Sequence, residues 1–471
     1  MEVEMAFSLT RREFLKDLGL LGAGITLAPG AVAASAATDW DNEKTPFLGR
    51  PSWVTTTSAP TMEIDWDKMQ RFSEWQTTRG SFATYVGAER DKRLTALQTE
   101  NLDKWLKQNK PGYSLKDRAL QNACGQGAAA QSFVPPKEIQ GPDKLGVAPW
   151  KGTPEEASMM VTAALRHLGA GTVGFVELDP RTTEKLIYAQ DPDKKEMVFS
   201  DTAKWPEEND KQRIIPKSAR WVIVWTIPMS QETMKTAPTV TCSATTGLTY
   251  SENRNVQHRL QYFLGSLGYM GMGEYSTNAL GIAPALGTMA GLGEMSRLNR
   301  LISPEWGPIN RVFKMITDLP LAPTKPINAG IMQFCKVCKR CAEYCPSKAL
   351  SYDTEPTWNT RGPWSNPGHK AFFEDSTKCR AYWRQVGTNC GICFTVCPFA
   401  SKNMAFYHSF RNALASATPV FDSTLKIMAD MMMPSAADPE MGNPLLDPEA
   451  WWKKLDLPIK GYNSARGISE A

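Results

Sequence analysis

Eight of the ten cysteines in this chain fall between Cys335 and Cys397, and their spacing constrains the fold more than any other feature. They read Cys335-x2-Cys338-x2-Cys341-x3-Cys345-Pro346 and Cys379-x10-Cys390-x2-Cys393-x3-Cys397-Pro398. Disulfide frameworks belong to small secreted domains and do not repeat such a run. Structural zinc uses C-x2-C pairs, but it closes with four ligands and has no need of a trailing Cys-Pro. The run matches that of bacterial ferredoxins, in which the fourth cysteine of each motif ligates the other cluster. The spacing therefore predicts one 4Fe–4S cluster on Cys335, Cys338, Cys341 and Cys397, and a second on Cys379, Cys390, Cys393 and Cys345. The x10 gap after Cys379 departs from the usual second motif, so a Cys379 that points away would leave a three-iron cluster. Cys124 and Cys242 stand apart from the motifs and read as small hydrophobes.

The N-terminus reads as an export address. Thr10-Arg11-Arg12-Glu13-Phe14-Leu15-Lys16 is a twin-arginine pattern, with an apolar stretch over 18–27 and small-residue cleavage candidates at Ala31-Val32-Ala33 and Ala34-Ser35-Ala36. That route carries folded proteins with their cofactors already inserted, which suits clusters assembled inside the cell. No other run approaches the roughly 18 apolar residues of a membrane span. The mature chain is therefore expected at the outer face of the cytoplasmic membrane, peripheral and held by a partner. A net charge of +4 gives no footprint for nucleic acid. A composition 42% hydrophobic and 22% charged excludes a disordered or fibrous chain.

A chain of 471 residues has room for about three domains. The order along it is a signal over 1–36, an N-terminal layer over 37–150 with helices near 65–75 and 91–108, and a core over 151–330. A cluster module follows over 331–405, then a tail over 406–471 that packs back on the core. Thr153-Pro154-Glu155-Glu156 starts a helix, with a threonine cap and proline at the first helical position. Met159, Met160, Ala163, Ala164 and Leu168 then recur at helical spacing. Short strands are expected at 172–178 and 220–227, and helices at 252–267 and 309–317. Helices against a small sheet make the core α+β. The string Gly169-Ala170-Gly171-Thr172-Val173-Gly174 spells G-x-G-x-x-G, but a helix precedes it and a strand follows. A dinucleotide site needs the reverse order, so these glycines read as a helix end and a tight turn.

Three segments in order carry a family resemblance: the T-R-R-E-F-L-K signal, Ala290-Gly291-Leu292-Gly293-Glu294-Met295-Ser296-Arg297, and Thr317-Asp318-Leu319-Pro320-Leu321-Ala322-Pro323-Thr324-Lys325-Pro326 leading into Cys335. Together with the cluster motifs they resemble the corrinoid-dependent respiratory reductive dehalogenases over nearly the whole length. The resemblance implies a nitroreductase-like α+β core that holds a corrinoid, beside a bacterial-ferredoxin-like module with two 4Fe–4S clusters. It implies replacement of halogen by hydrogen on a small organohalide, as the terminal step of anaerobic respiration. The implied partners are a small hydrophobic membrane-anchor protein and a membrane electron donor, with no nucleic acid. Carried onto this sequence, the proton donor is Tyr250, the neighbouring basic residue Arg311, and a substrate-side hydrogen-bond donor Asn278. A guanidinium beside a tyrosine stabilises the tyrosinate left after proton transfer. Gly291, Gly293, Met295 and Ser296 either meet the corrin or pack small residues between helices.

The four histidines, His167, His258, His369 and His408, include no D-x-H-x-x-G arrangement. The cobamide is therefore expected base-off, with no protein ligand below cobalt. Two other functions fit parts of the sequence. An epoxyqueuosine-reductase-like corrinoid enzyme would be cytoplasmic with a nucleic-acid surface. An exported ferredoxin-type carrier would need only the cluster module. The tryptophan-rich stretch at 221–225 either shapes a small apolar cavity or fills the core, and small chlorinated aliphatics are the expected substrates.

Overall fold

Four antiparallel strands carry the core: β1 (Val173–Glu177), β2 (Trp221–Pro228), β3 (Gly271–Met272) and β4 (Asn310–Thr317), in spatial order β1-β2-β4-β3. Five helices bear on the site: α1 (Ala88–Lys107), α2 (Pro154–Leu168), α3 (Val240–Leu267), α4 (Ile331–Cys338) and α5 (Ser376–Val386). The computed structural model describes residues 54–127, 129–400, 444–455 and 457. The twin-arginine signal, its cleavage candidates, His408 and the methionines at 431–433 lie outside the described residues.

The sheet is covered on both sides, which is why β2 reads as a continuous apolar run. Its side chains alternate between faces. Val222 and Val224 join a cluster with Leu186, Met197, Ile215 and Leu286. Ile223, Trp225 and Ile227 join Val161 and Leu165 of α2 and Val256, Leu260 and Leu264 of α3. Trp225 is fully buried and its indole N–H donates to Asn253 Oδ1 at 3.1 Å, so this tryptophan fills the core and pins α3 to the sheet.

Helix α2 starts as its sequence dictates. Thr153 Oγ1 accepts from the Glu156 amide at 3.2 Å, and the Glu156 carboxylate accepts from the Thr153 amide at 2.8 Å. It ends at Gly169 with φ 113°, in the left-handed region. Strand β1 follows, so the G-x-G-x-x-G string joins a helix to a strand and has no dinucleotide geometry.

Three expected elements differ. The segment 309–317 is not a helix but strand β4, paired along its length with β2 from Asn310 opposite Pro228 to Thr317 opposite Trp221. Ile309, Val312, Phe313 and Ile316 satisfy the helical i, i+3, i+4, i+7 template. The β-branched residues and the waiting edge of β2 decide for the strand. The segment 65–75 is not a helix either. Asp65 Oδ1 accepts from the amides of Asp67 and Lys68 at 3.1 and 3.2 Å, closing a turn, and Glu74–Gln76 form a single 3-10 turn. Helix α3 starts at Val240, capped by Thr239, well before 252.

The cluster module is fastened to the core through 290–297. The buried Arg297 donates Nε and Nη2 to the carbonyl of Cys335 at 2.9 and 2.7 Å, and Nη1 to that of Ser351 at 2.7 Å. Its guanidinium lies 4.1 Å from the Phe372 ring centroid. Glu294 accepts from the amides of Ala329 and Ile331 at 2.8 and 2.9 Å. On the outer side α5 packs on α1, where Arg384 reaches Gln98 and Asp91 at 3.0 and 3.5 Å. Near the C-terminus Trp451 is buried, and Trp452 Nε1 donates to the buried Asp117 at 2.7 Å.

Within the sheet, Lys314 of β4 is 0% and Glu274 2% exposed, with Nζ and Oε1 2.6 Å apart. Removing one member of such a pair strands a charge in a low-dielectric core. Lys314→Met should cost about 3–5 kcal/mol in urea unfolding, and adding Glu274→Leu should restore most of that loss. Equal stability of Lys314→Met and the parent would show that the pair contributes nothing.

Candidate active site

Strand β4 and helix α3 bring the expected residues together. Arg311 lies at the start of β4 opposite Ile227. Thr246 and Tyr250 stand one turn apart on α3 and so share a face. Arg311 Nη2 donates to Thr246 Oγ1 at 3.3 Å, and its guanidinium lies 5.5 Å from the Tyr250 ring centroid. Phe313, on the same strand, supports the Tyr250 ring edge-on at 5.8 Å. The Tyr250 hydroxyl donates to Asn278 Oδ1 at 3.4 Å. All three expected residues thus meet. Asn278 accepts from the tyrosine through Oδ1, and the residue lines the cavity.

Tyr250, Arg311, Asn278 and Thr246 line a cavity of about 510 Å³. Its wall also carries Glu74, Arg380, Met295, His369 and Cys379. Glu74 Oε2, Arg311 Nε and Arg380 Nε are buried without a partner in the protein. Such groups call for a ligand that offers both donors and acceptors, and the amide-fringed edge of a corrinoid offers both. Burial raises the Glu74 carboxyl above its ordinary range, against the pull of Arg79 and Lys314. His369 is pushed down to about 4 by burial, so its ring is neutral at pH 7, and it meets Phe373 edge-on at 5.0 Å.

The eight cysteines are crowded together. Burial raises the Cys335 thiol, and the nearby Cys338 and Cys397 raise it further. Cys341 is raised by burial and then by Cys335, Cys338, Cys397 and Cys393. The second group shows the same pattern. Cys379, Cys390 and Cys393 are each raised by burial first, and Cys345 adds to all three. Thiolates crowded together in an apolar setting need a cation to hold them ionised. Among the described residues, no three His, Cys, Asp or Glu side chains converge on one ion. A cubane takes its four thiolates on four separate irons, so it does not need them to meet at one ion. The Ala349 amide donates to Cys345 Sγ at 3.4 Å. Cys379 points inward, and because it also lines the cavity, the second group borders the space beside Tyr250. Cys242 is buried and Cys124 half-buried, as expected of small hydrophobes.

The glycine-rich segment is corrected in part. Met295 reaches the cavity; Gly291, Gly293 and Ser296 do not line it. A Cβ on Gly291 would collide with the carbonyl oxygen of Lys325, and one on Gly293 with that of Ile302. Ser296 Oγ donates to the Arg300 carbonyl at 2.8 Å. These three close the protein on itself. Sequence reasoning missed Thr246, whose signal was its place one turn before Tyr250 on a helix drawn too short. It also missed Glu74 and Arg380, which come from distant segments and carry no local signal.

Residues 49–321 match the family model described as the reductive dehalogenase subunit, and residues 334–400 match that of the 4Fe-4S double cluster binding domain. The tetrachloroethene reductive dehalogenase of Sulfurospirillum multivorans is 30% identical, with 86% of this chain and 87% of the relative aligned. The trichloroethene reductive dehalogenase of Dehalococcoides mccartyi is 27% identical over 89% of this chain and 93% of its own. Among solved structures, the catabolic reductive dehalogenase NpRdhA superposes with a TM-score of 0.58 at 18% identity, over 84% of this chain and 53% of that one. A reductive dehalogenase structure reported with a mechanism for B12-dependent dehalogenation superposes at 0.55 and 19% identity, over 84% and 54%. The chain thus spans about half the length of the solved chains it matches, and these likenesses speak for the fold. With the family model covering more than half of its residues, and a relative 30% identical aligned over most of both chains, the protein belongs to the reductive dehalogenase family, oxidoreductases that act on carbon–halogen bonds.

Proposed function

We propose that this chain replaces halogen by hydrogen on a small chlorinated alkene or alkane, with a base-off corrinoid in the cavity and two 4Fe–4S clusters feeding it electrons. The observation that carries this reading is the meeting of Tyr250, Arg311 and Asn278 on a cavity that Cys379 also borders. A corrinoid held there would supply the low-potential electrons needed to break a carbon–halogen bond. The net reaction takes two electrons and one proton, forms a carbon–hydrogen bond and releases halide. The chain's own part is the proton and the setting. Asn278 Oδ1 orients the Tyr250 hydroxyl, and Phe313 holds the ring. Arg311 stabilises the tyrosinate left behind and faces the departing halide with positive charge.

The chloroethene substrates named for the curated relatives support the substrate class. The twin-arginine sequence supports export to the outer face of the cytoplasmic membrane. The same family resemblance supports attachment through a small hydrophobic anchor protein, a membrane electron donor and a terminal respiratory role; no helix among the described residues is long and apolar enough to cross a membrane. The carrier reading accounts for the cluster module alone and leaves the cavity unused.

Anaerobically reconstituted protein should hold about eight irons and one cobalt. The Co(II) form should show no nitrogen superhyperfine splitting in its electron paramagnetic resonance, since no histidine of the sequence stands in a D-x-H-x-x-G arrangement. Cys379→Ala should damage the cluster beside the cavity and leave the other intact. Four irons without cobalt, or resolved nitrogen splitting, would contradict the assignment.

Tyr250→Phe removes one hydroxyl and keeps the ring volume. Turnover should fall at least ~10²-fold with iron and cobalt contents unchanged. Arg311→Lys keeps the charge but loses the planar fork, so it should be milder than Arg311→Ala. Combining Arg311→Ala with Tyr250→Phe should cost little more than Tyr250→Phe alone, since both act through one proton transfer. Full turnover by a fully loaded Tyr250→Phe enzyme, measured where chemistry limits the rate, would remove Tyr250 from the mechanism.

A further inference from the structure

The loop that presents Asn278 to Tyr250 is held from outside the cavity. Asn278 and Leu280 have φ of 64° and 67°, a left-handed conformation that non-glycine residues keep only when their surroundings impose it. At the head of the loop, Glu274 is bound by Lys314 of β4, the strand that also carries Arg311. In the middle, Arg79 donates to the Thr277 carbonyl. At the far end the Leu280 amide donates to Asp191 Oδ1 at 2.9 Å, and the Leu280 carbonyl accepts from the Tyr188 amide at 2.9 Å.

Asp191 occupies a special place among these contacts. It is fully buried, and its second oxygen accepts from Arg213 Nη1 at 3.3 Å. Arg213 is buried as well; it forks onto Asp193 at 2.9 and 2.7 Å, reaches Glu208 at 2.9 Å, and lies 3.7 Å from the ring centroid of Tyr275, a residue of the same loop. One carboxylate therefore grips the loop twice: directly at Leu280, and through Arg213 at Tyr275. Neither Asp191 nor Arg213 lines the cavity.

We propose that Asp191 is a positioning residue, whose ionised carboxylate bridges the Leu280 amide and Arg213 and so holds Asn278 where the Tyr250 hydroxyl meets it. This rests on the reading that Tyr250 delivers the proton. The charge on Asp191 then governs turnover from outside the cavity. Arg213, the Leu280 amide and Lys314 favour the ionised form, while burial and Asp193 oppose it; the phenols of Tyr188 and Tyr275 feel the same carboxylate, and Glu74 and Glu274 in turn face Tyr188. Burial dominates and pushes the carboxyl up to about 7. Below that pH the carboxyl is protonated and its hold on Arg213 weakens; above it the grip is complete. Stability runs the other way. A carboxyl raised in the folded state binds more protons there than in the unfolded chain, so its contribution to stability falls as pH rises from about 4 to about 7. A loop effect and a stability effect therefore differ in sign.

The test compares the loaded enzyme with its Asp191→Asn variant, which keeps an acceptor for Leu280 and removes the charge. Turnover of the parent should rise through pH 7. The variant should be flat across that range and about ten- to a hundredfold slower at pH 8, where ~10²-fold is the loss expected for a misplacement of about 1 Å. Hydrogen exchange in a peptide spanning 276–281, corrected for its intrinsic pH dependence, should be faster in the variant at pH 8 and match the parent at pH 6. Iron and cobalt contents and the thermal midpoint should not fall. Unchanged exchange, or an unchanged rise in turnover through pH 7, would overturn the proposal. Tyr250→Phe run in parallel separates the two ideas: full turnover there sinks the proton-donor reading, while the exchange data still report whether Asp191 holds the loop.

Discussion

A single buried guanidinium sets the register between the two halves of this enzyme. Arg297 leaves the core beside the glycine-rich turn and donates to the carbonyls of Cys335 and Ser351. Its own amide favours the Cys335 thiolate. A guanidinium so enclosed must keep its acceptors, and its planar fork fits carbonyls presented at one angle only. The cluster module therefore cannot drift relative to the sheet without exposing that charge to an apolar surround. Glu294, three residues earlier, repeats the device with the opposite sign by accepting the amides of Ala329 and Ile331. Cys379 of the module so fastened lines the same cavity as Tyr250.

The chemistry then follows from ordinary secondary structure. Residues four apart on α3 share a face, so Thr246 can hold the arginine that overlies Tyr250. Alternation along β4 turns Phe313 toward the same ring while Lys314 faces the opposite way, into its pair with Glu274. One strand thus supplies the cation, the aromatic support and the anchor of the loop that bears Asn278. The cost is a sheet carrying a buried ammonium, paired through Glu274 Oε1, and a loop held in left-handed conformations at Asn278 and Leu280.

Much of this was legible in the residue order. Spacing alone grouped the eight cysteines, since cubane ligation imposes a local pattern that no packing accident imitates. The start of α2 was equally clear, because Thr153, Pro154 and Glu156 each answer a requirement of a helix N-terminus. Strand β4 was not, because its apolar residues fit a helical period as well as a strand, and only the partner strand settles the choice. Tyr250, Arg311 and Asn278 were reached through family resemblance, and no periodicity would have assembled them. Glu74, Arg380 and Asp191 were invisible, since their roles arise from segments far apart in sequence that meet only in the fold.

The central claim is that one cluster and the reacting centre share a wall, with Cys379 between them. Electron paramagnetic resonance of the loaded protein, poised with cobalt as Co(II) and the clusters first oxidised and then reduced, reads that proximity directly. The account predicts that reducing the cluster held by Cys379 broadens the Co(II) signal and speeds its relaxation, and that Cys379→Ala abolishes this change. A Co(II) signal whose width and relaxation are indifferent to the redox state of both clusters would contradict it.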